Sequence, residues 1–315
     1  MNIELIERDY RRWAKCRTEW YSFEEFINSK YISDGVHTIQ LGKTTFELFS
    51  SGHPFNNNQY ENIPVFFSGA VSRRDKLIPP FFSGLSLGKD LGVPFIAISD
   101  PLVDQHSQIG LAWYTGSVDH WFQGLLAKFF QQLNIKKHKK FFFVGGSGGG
   151  FAALYQSPRN PTISSCLTWN PQTSIFKYWE NHVKKYLRYA GIPGSILEKK
   201  NWIEDTRNWT SRKIAFDLQS PDKIFRNNKL LYLQNKSDWH VQEHLEPWLG
   251  NKEWTAQGAK GPKIFAHDSM HIIVQADFAE GHAPVPTPTI LNALRSLIVD
   301  NNSVDQTVNK LLDQK

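Results

Sequence analysis

An aromatic run, Lys139-Lys140-Phe141-Phe142-Phe143-Val144, breaks into Gly145-Gly146-Ser147-Gly148-Gly149-Gly150 and resumes as Phe151-Ala152-Ala153-Leu154-Tyr155. An apolar stretch closed by a glycine turn and followed by helix formers reads as buried strand, tight turn and helix. A serine at the tip of such a turn has a strained backbone, and the chain on either side passes close to both strand and helix, so its neighbours must be small. Gly145 and Gly149 meet that need in the spacing G-x-S-x-G. A flexible glycine loop or a phosphate cradle are the competing readings. The phosphate-binding pattern needs Lys and then Ser or Thr after its last glycine, whereas Phe151 and Ala152 follow here.

The rest of the chain is read around that turn. Residues 1–34 have an amphipathic, helix-like texture, with Leu5, Tyr10, Trp13, Trp20, Phe23 and Phe26 among charges, and are expected to form a helical extension packed on the main domain. From Gly35, Val36–Leu41 and Thr44–Phe49 alternate about Gly42-Lys43 as a β-hairpin. Apolar strands are expected at Ile63–Phe67, Val93–Ile98, Ser165–Trp169 and Leu230–Leu233, with a further strand at Pro262–Ala266. Helices are expected over Val118–Leu133, His240–Leu249 and Thr289–Val299. Fully apolar strands alternating with helices imply an α/β fold, a largely parallel sheet covered on both faces. The strand rhythm covers 35–170 and 229–300; between them, 171–228 reads as a helical lid insertion, and 301–315 as a frayed tail.

The strand, serine turn and helix resemble the nucleophile elbow of the α/β-hydrolase superfamily, which implies that fold: a mostly parallel central sheet with helices on both faces and antiparallel edge strands. A hydroxyl at its ordinary pKa is a poor nucleophile, so Ser147 requires an imidazole to take its proton and a carboxylate to orient that imidazole. The resemblance implies the chain order serine, acid, histidine. Asp238, a few residues beyond the Leu230–Leu233 strand, fits the acid, and it equally fits the N-cap of the following helix. Asn170 occupies the less common acid position and cannot ionise. His282, in Gly281-His282-Ala283-Pro284 before the last helix, resembles the family's base, with His271 and His267 as rivals. An oxyanion hole needs two N–H donors. The resemblance implies the backbone of Gly148 and, in the loop Ser68-Gly69-Ala70, that of Ala70, with Ser68 departing from the family's frequent histidine.

Two further patterns suggest metal. His240-Val241-Gln242-Glu243-His244 spells the inverted zinc-protease signature, but that reading needs a third ligand on a neighbouring helix and leaves the glycine turn unexplained. His267, Asp268 and His271 cluster without regular ligand spacing. No metal is therefore expected.

Composition narrows the function classes. Only Cys16 and Cys166 are present among 315 residues, too few for a disulfide framework or a cysteine-rich metal site. The start, Met1–Asp9, has no export-type apolar core, and no window approaches eighteen uncharged apolar residues, so no membrane span and a cytoplasmic location are expected. The formal charge is +6, and residues 171–230 hold twelve Lys or Arg against six acids, so that segment alone carries the equivalent of the excess. It is either a solvated basic face or an attractor for an anionic ligand. With no recognisable binding module, nucleic acid is not expected. The expected activity is a serine-dependent acyl hydrolase of the esterase kind, needing no cofactor. An O-acyltransferase taking acetyl-CoA as donor and a carbohydrate as acceptor uses the same residues. It draws on a looser similarity to bacterial surface-glycan O-acetyltransferases, carried by the glycine-rich elbow and the strand ending in Asn170-Pro171, and eleven tryptophans offer faces for sugar rings. A non-catalytic binding protein on the same fold is the third reading.

Overall fold

The computed structural model describes residues 7–13, 16–41, 44–57, 59–159, 164–211, 213–219, 228–250, 254–257 and 261–313. Leu5, the Gly42-Lys43 turn and Arg212, Asp222, Lys223 and Arg226 of the charge count lie outside them. Among the described residues eleven strands form one sheet: β1 (Arg17–Trp20), β2 (Gly35–Leu41), β3 (Thr44–Ser51), β4 (Asn62–Phe67), β5 (Phe95–Ile98), β6 (Lys140–Gly146), β7 (Ser164–Trp169), β8 (Leu230–Asn235), β9 (Thr255–Gln257), β10 (Lys263–Ala266) and β11 (His271–Ala276). Their spatial order is β1-β2-β3-β5-β4-β6-β7-β8-β11-β10-β9. The six strands from β5 to β11 run parallel, while β2 with β3, β3 with β5, β10 with β11 and β9 with β10 are antiparallel.

The helices are α1 (Phe23–Asn28), α2 (Leu85–Leu91), α3 (Pro101–Gln105), α4 (Phe122–Lys137), α5 (Ser147–Gln156), α6 (Glu180–Tyr189), α7 (Gly194–Leu197), α8 (Trp202–Trp209), α9 (Glu246–Leu249), α10 (Thr287–Leu294) and α11 (Val304–Leu312). The alternation of β6 decides which of them cover each face. Phe141 and Phe143 enter a core with Phe129 and Phe130 of α4 and Ala152 to Leu154 of α5. Phe142 and Val144 enter the opposite core with Leu87 and Leu91 of α2 and Leu294 of α10. Each of these phenylalanines is nearly or fully buried, and each contributes roughly 2 kcal/mol of transfer free energy as an upper bound. A third core joins α6, α7 and α8 to Phe81, Trp113 and Phe151, so the helices between β7 and β8 have their own apolar seat on the main body.

Both ends of the chain differ from expectation. Before Gly35 the chain forms β1, parallel to β2, and only then the short α1, capped by Ser22, whose hydroxyl accepts the Glu25 N–H at 3.1 Å. The strand wins because β2 otherwise presents an open edge, and the alternating burial of Arg17–Trp20 suits a two-sided edge strand. At the other end the expected frayed tail is the helix α11. Ser303 and Gln306 form a reciprocal capping box, and Val304 and Val308 are buried one turn apart. The helix expected over His240–Leu249 starts with a π-helical turn, Val241–Leu245, before α9. Pro247, at the start of α9, has no N–H for the carbonyl four residues back, and its ring crowds that carbonyl. Strands β9 and β11 had no counterpart among the expected elements.

Candidate active site

Ser147 stands where β6 ends and α5 begins, at the carboxyl end of the parallel strands, with φ at +53°. That left-handed conformation is costly for a residue with a side chain, and it lifts the hydroxyl out of the turn. The flanking glycines make the bend sterically possible. A Cβ on Gly145 would lie 2.4 Å from the Gly149 carbonyl oxygen, and one on Gly149 would lie 2.5 Å from that of Phe67.

A continuous hydrogen-bonded chain runs from this serine to a buried carboxylate. The Ser147 hydroxyl meets Nε2 of His282 at 3.0 Å, and Nδ1 of His282 meets Oδ2 of Asp238 at 2.8 Å. A carboxylate accepts, so Nδ1 carries the proton and Nε2 is left to accept from the serine. Asp238 is 3% exposed, and its other oxygen, Oδ1, accepts the His240 N–H at 3.0 Å, so the same side chain both starts the following turn and orients the imidazole.

The loop carrying His282 is held by two amides not singled out beforehand as functional. Nδ2 of Asn235 donates to the carbonyls of Gly281 (2.9 Å) and Ala283 (2.7 Å), the two neighbours of His282. Nδ2 of Asn170 also donates to Ala283, at 2.9 Å, while its Oδ1 accepts the Asn235 N–H at 2.8 Å. Asn170, at the end of β7, is thus a latch where the family's pattern allows an acid. Its position in sequence was visible, but its partners, Asn235 at 65 and Ala283 at 113 residues' distance, were not.

The other histidines are placed elsewhere. His271 begins β11, paired with Leu230 at the start of β8, so it sits at the amino end of the parallel strands. Ser147 is at the carboxyl end, about 20 Å away by the length of a six-residue strand. Nδ1 of His271 donates to Asp268 at 2.9 Å, and His267 lies beside the same carboxylate. His240 and His244 are buried behind His282, with the His240 and His282 ring centroids 4.1 Å apart. Burial, reinforced by His282, pulls the His240 pKa down to about 4, and burial also depresses that of His244. Glu243, the third member of the zinc-type pattern, turns instead to Lys177 at 3.3 Å. Among the described residues two groups offer ligand atoms lying within 4.8 Å of one another: Asp238, His240 and His282, and His267, Asp268 and His271. In the first, Asp238 and His282 are engaged with each other.

Of the two predicted oxyanion donors, Gly148 directly follows the serine in the chain. Gly148 is in the first turn of α5, where N–H groups have no intrahelical acceptor. Within Ser68-Gly69-Ala70 the nearest residue to the serine is Gly69, on which a Cβ would lie 3.9 Å from Ser147 Cβ, while Ala70 is exposed. Among the described residues the Ala70 N–H has no protein acceptor. Tyr114 fixes the start of this loop: its hydroxyl accepts the Ser68 N–H at 2.7 Å and lies 3.0 Å from the Ile98 carbonyl, to which it donates. Burial drives the Tyr114 pKa up, so it remains a neutral donor. A cavity of about 250 Å³ opens beside Ser147 and His282, walled by Phe66, Phe67, Val144 and Trp169.

Sheet order, crossing helices and the serine turn together define the α/β-hydrolase fold. No protein-family model and no curated protein matches the sequence. Among solved structures the chain is similar to capsule O-acetyltransferase of Neisseria meningitidis serogroup A in complex with CoA, with 14% identity over 68% of this chain and 80% of that chain and a TM-score of 0.48. FphF, a fluorophosphonate-binding serine hydrolase of Staphylococcus aureus, is similar with 11% identity over 85% and 97% of the two chains and a TM-score of 0.45. A glycosylation-associated protein complex from Streptococcus agalactiae is similar with 17% identity over 65% of this chain and a TM-score of 0.43, and the chain spans 36% of that protein's length. Among the described residues no helix is long and apolar enough to cross a membrane.

Proposed function

We propose that the protein is a serine-dependent acyl hydrolase in which Ser147, His282 and Asp238 form a catalytic triad. The observation that carries this reading is the chain of 2.8 Å and 3.0 Å hydrogen bonds ending on a serine at φ +53°. The Ser147 oxygen attacks the carbonyl carbon of an ester or thioester while Nε2 of His282 takes the hydroxyl proton, and Asp238 stabilises the resulting imidazolium. The Gly148 and Ala70 N–H groups receive the negative charge that develops on the carbonyl oxygen. The carbon–leaving-group bond then breaks, His282 returns its proton to the departing oxygen or sulfur, and an acyl-serine remains. Water, deprotonated by His282, attacks the acyl carbon and releases the acid and the free serine. The cavity beside Ser147 is small and largely apolar in lining, which suits a short acyl group.

Acyl transfer is the second reading, with acetyl-CoA as donor and a carbohydrate hydroxyl taking the place of water. One observation favours it. The rings of Tyr178 and Trp179 stack 7° from parallel, Trp179 is 62% exposed, and Trp239 bridges Tyr178 to His282, with centroid separations of 6.3 and 6.4 Å. Flat, exposed aromatic faces beside a nucleophile are suited to the apolar face of a sugar ring. Tyr178 and Trp179 lie just before α6, between β7 and β8, and Trp239 follows β8; the helices between β7 and β8 act in this reading as a lid.

Hydrolysis of 4-nitrophenyl acetate tests the proposal. Turnover by the wild type and its loss by about five to six orders of magnitude in kcat in Ser147→Ala is the expected result. Equal slow rates for both proteins exclude a nucleophilic Ser147 and leave a binding protein on this fold. Adding oligosaccharide to an acetyl-CoA assay separates transferase from hydrolase, because a transferase consumes the thioester faster with its acceptor present.

A further inference from the structure

On the far side of the Ser68-Gly69-Ala70 loop from the small cavity lies an open groove of about 700 Å³. Its floor is the Gln108–Leu111 stretch, and its sides are the strap at Ala70–Asp75 and the face of α6 carrying Asn181, His182 and Lys185. The two hollows share no lining residue, and the loop proposed to hold the oxyanion stands between them. Leu111 also reaches the elbow: a Cβ on Gly148 would lie 2.4 Å from its Cδ1.

The groove lining carries Arg73, Arg74 and Lys185 against one carboxylate, Asp75. Arg73 and Lys185 are exposed on its walls, and among the described residues neither has a carboxylate within 4.0 Å, although cations between β7 and β8 do, such as Lys184 with Glu180 and Arg207 with Asp217. Arg73 is held at φ +52°, a conformation that costs free energy in a long side-chain residue and persists only where the surroundings impose it. The surroundings here are rigid. The buried Arg74 guanidinium donates to the carbonyls of Val103, Leu77 and Asp104, and the Val71 N–H donates to Gly110 at 2.7 Å. The strap therefore presents Arg73 from a fixed base, and Lys185 and the Asn181 amide line the same groove.

We propose that this groove binds a phosphate-bearing leaving group of the acyl donor, with Arg73 and Lys185 as its anion contacts. The proposal rests on the reading of Ser147 as the acyl-accepting nucleophile. The acyl group then lies in the small cavity, the scissile carbonyl at the loop, and the leaving group along the groove. A guanidinium fork and a lysine point charge suit phosphate oxygens better than a neutral alcohol, and Trp113 and Tyr178 supply an apolar wall for the uncharged part.

Calorimetric titration of the full-length Ser147→Ala protein tests this without chemistry, using coenzyme A, 4′-phosphopantetheine and pantetheine. Binding of coenzyme A or 4′-phosphopantetheine at least about tenfold tighter than pantetheine supports the proposal, and which of the two binds identifies the phosphate recognised. That preference should weaken with added salt, since exposed charges are screened. It should also fall by roughly fivefold or more in Arg73→Gln and in Lys185→Glu, each checked for an unchanged melting temperature. Equal binding of all three compounds, or binding indifferent to both substitutions, overturns the proposal. If coenzyme A fails to bind while the wild type still turns over 4-nitrophenyl acetate, the groove assignment alone is wrong; if that turnover is also absent, the nucleophile assignment falls with it.

Discussion

Asp238 and Asn235 show how much of the candidate site depends on single polar atoms. Asp238 accepts with both oxygens, one from His240 and one from His282. Asp238→Asn keeps the size but offers Nδ1 of His282 an N–H instead of an acceptor, favouring the wrong tautomer. A fall in kcat of about 10³- to 10⁴-fold toward 4-nitrophenyl acetate is expected, with little change in melting temperature. Asn235 acts through position: without its amide the Gly281 and Ala283 carbonyls lose donors and His282 is free to drift. Asn235→Ala should lower kcat by roughly ten- to a hundredfold with KM nearly unchanged, because small misplacements of a reacting group are costly. A parallel rise in KM would point instead to a collapsed pocket. The serine turn was legible in sequence because its constraints are local: glycines, strand and helix lie within eighteen residues. Asn235 and Asn170 were not, because a side-chain amide means nothing until two distant loops meet around it.

Elements with a strong local signal appear where the sequence places them, and those stabilised by partners do not. Strands β4, β6 and β8 each carry a continuous apolar run because both sheet faces are covered, and each is recognisable alone. The strand β1 has charges at Arg17 and Glu19 and looks helical until β2 supplies its hydrogen bonds. Strand β11 hides behind the attention its first residue, His271, attracts as a base. Once β11 is seen to run parallel to β8, the choice between His271 and His282 becomes a matter of which end of a strand each occupies. The final helix carried a readable signal, Ser303 followed three residues later by Gln306. Ser303→Ala should destabilise the protein by about 1 kcal/mol in urea unfolding, by loss of the capping box that starts α11. No change would mean that α11 is held by Val304 and Val308 alone.

Across the whole molecule, buried ionisable groups set opposing pH dependences. Burial raises the Asp104 pKa to about 7 despite the Arg8 guanidinium nearby. Its folded pKa exceeds the ordinary value of 3.8, so the folded state holds the extra proton, and stability is lost as pH rises from about 4 through 7. His240 acts the other way: with its pKa lowered to about 4, its contribution is complete above 6.5 and is lost as pH falls toward 4. Asp104→Asn removes the first effect. The stability difference between variant and wild type should therefore grow from pH 4 to pH 7, by on the order of 4 kcal/mol, and then level off. A difference independent of pH would mean that Asp104 is ionised throughout that range. The helices between β7 and β8 add a third core, the aromatic faces and one wall of the basic groove to this body. Both the acceptor and the donor proposals therefore depend on those helices, whereas the nucleophile depends on the sheet. Intact-mass spectrometry with peptide mapping after exposure to a fluorophosphonate tests the central assignment most directly. A single adduct on Ser147 in the wild type, absent in Ser147→Ala, is the predicted result; no adduct, or one that survives that substitution, would contradict it.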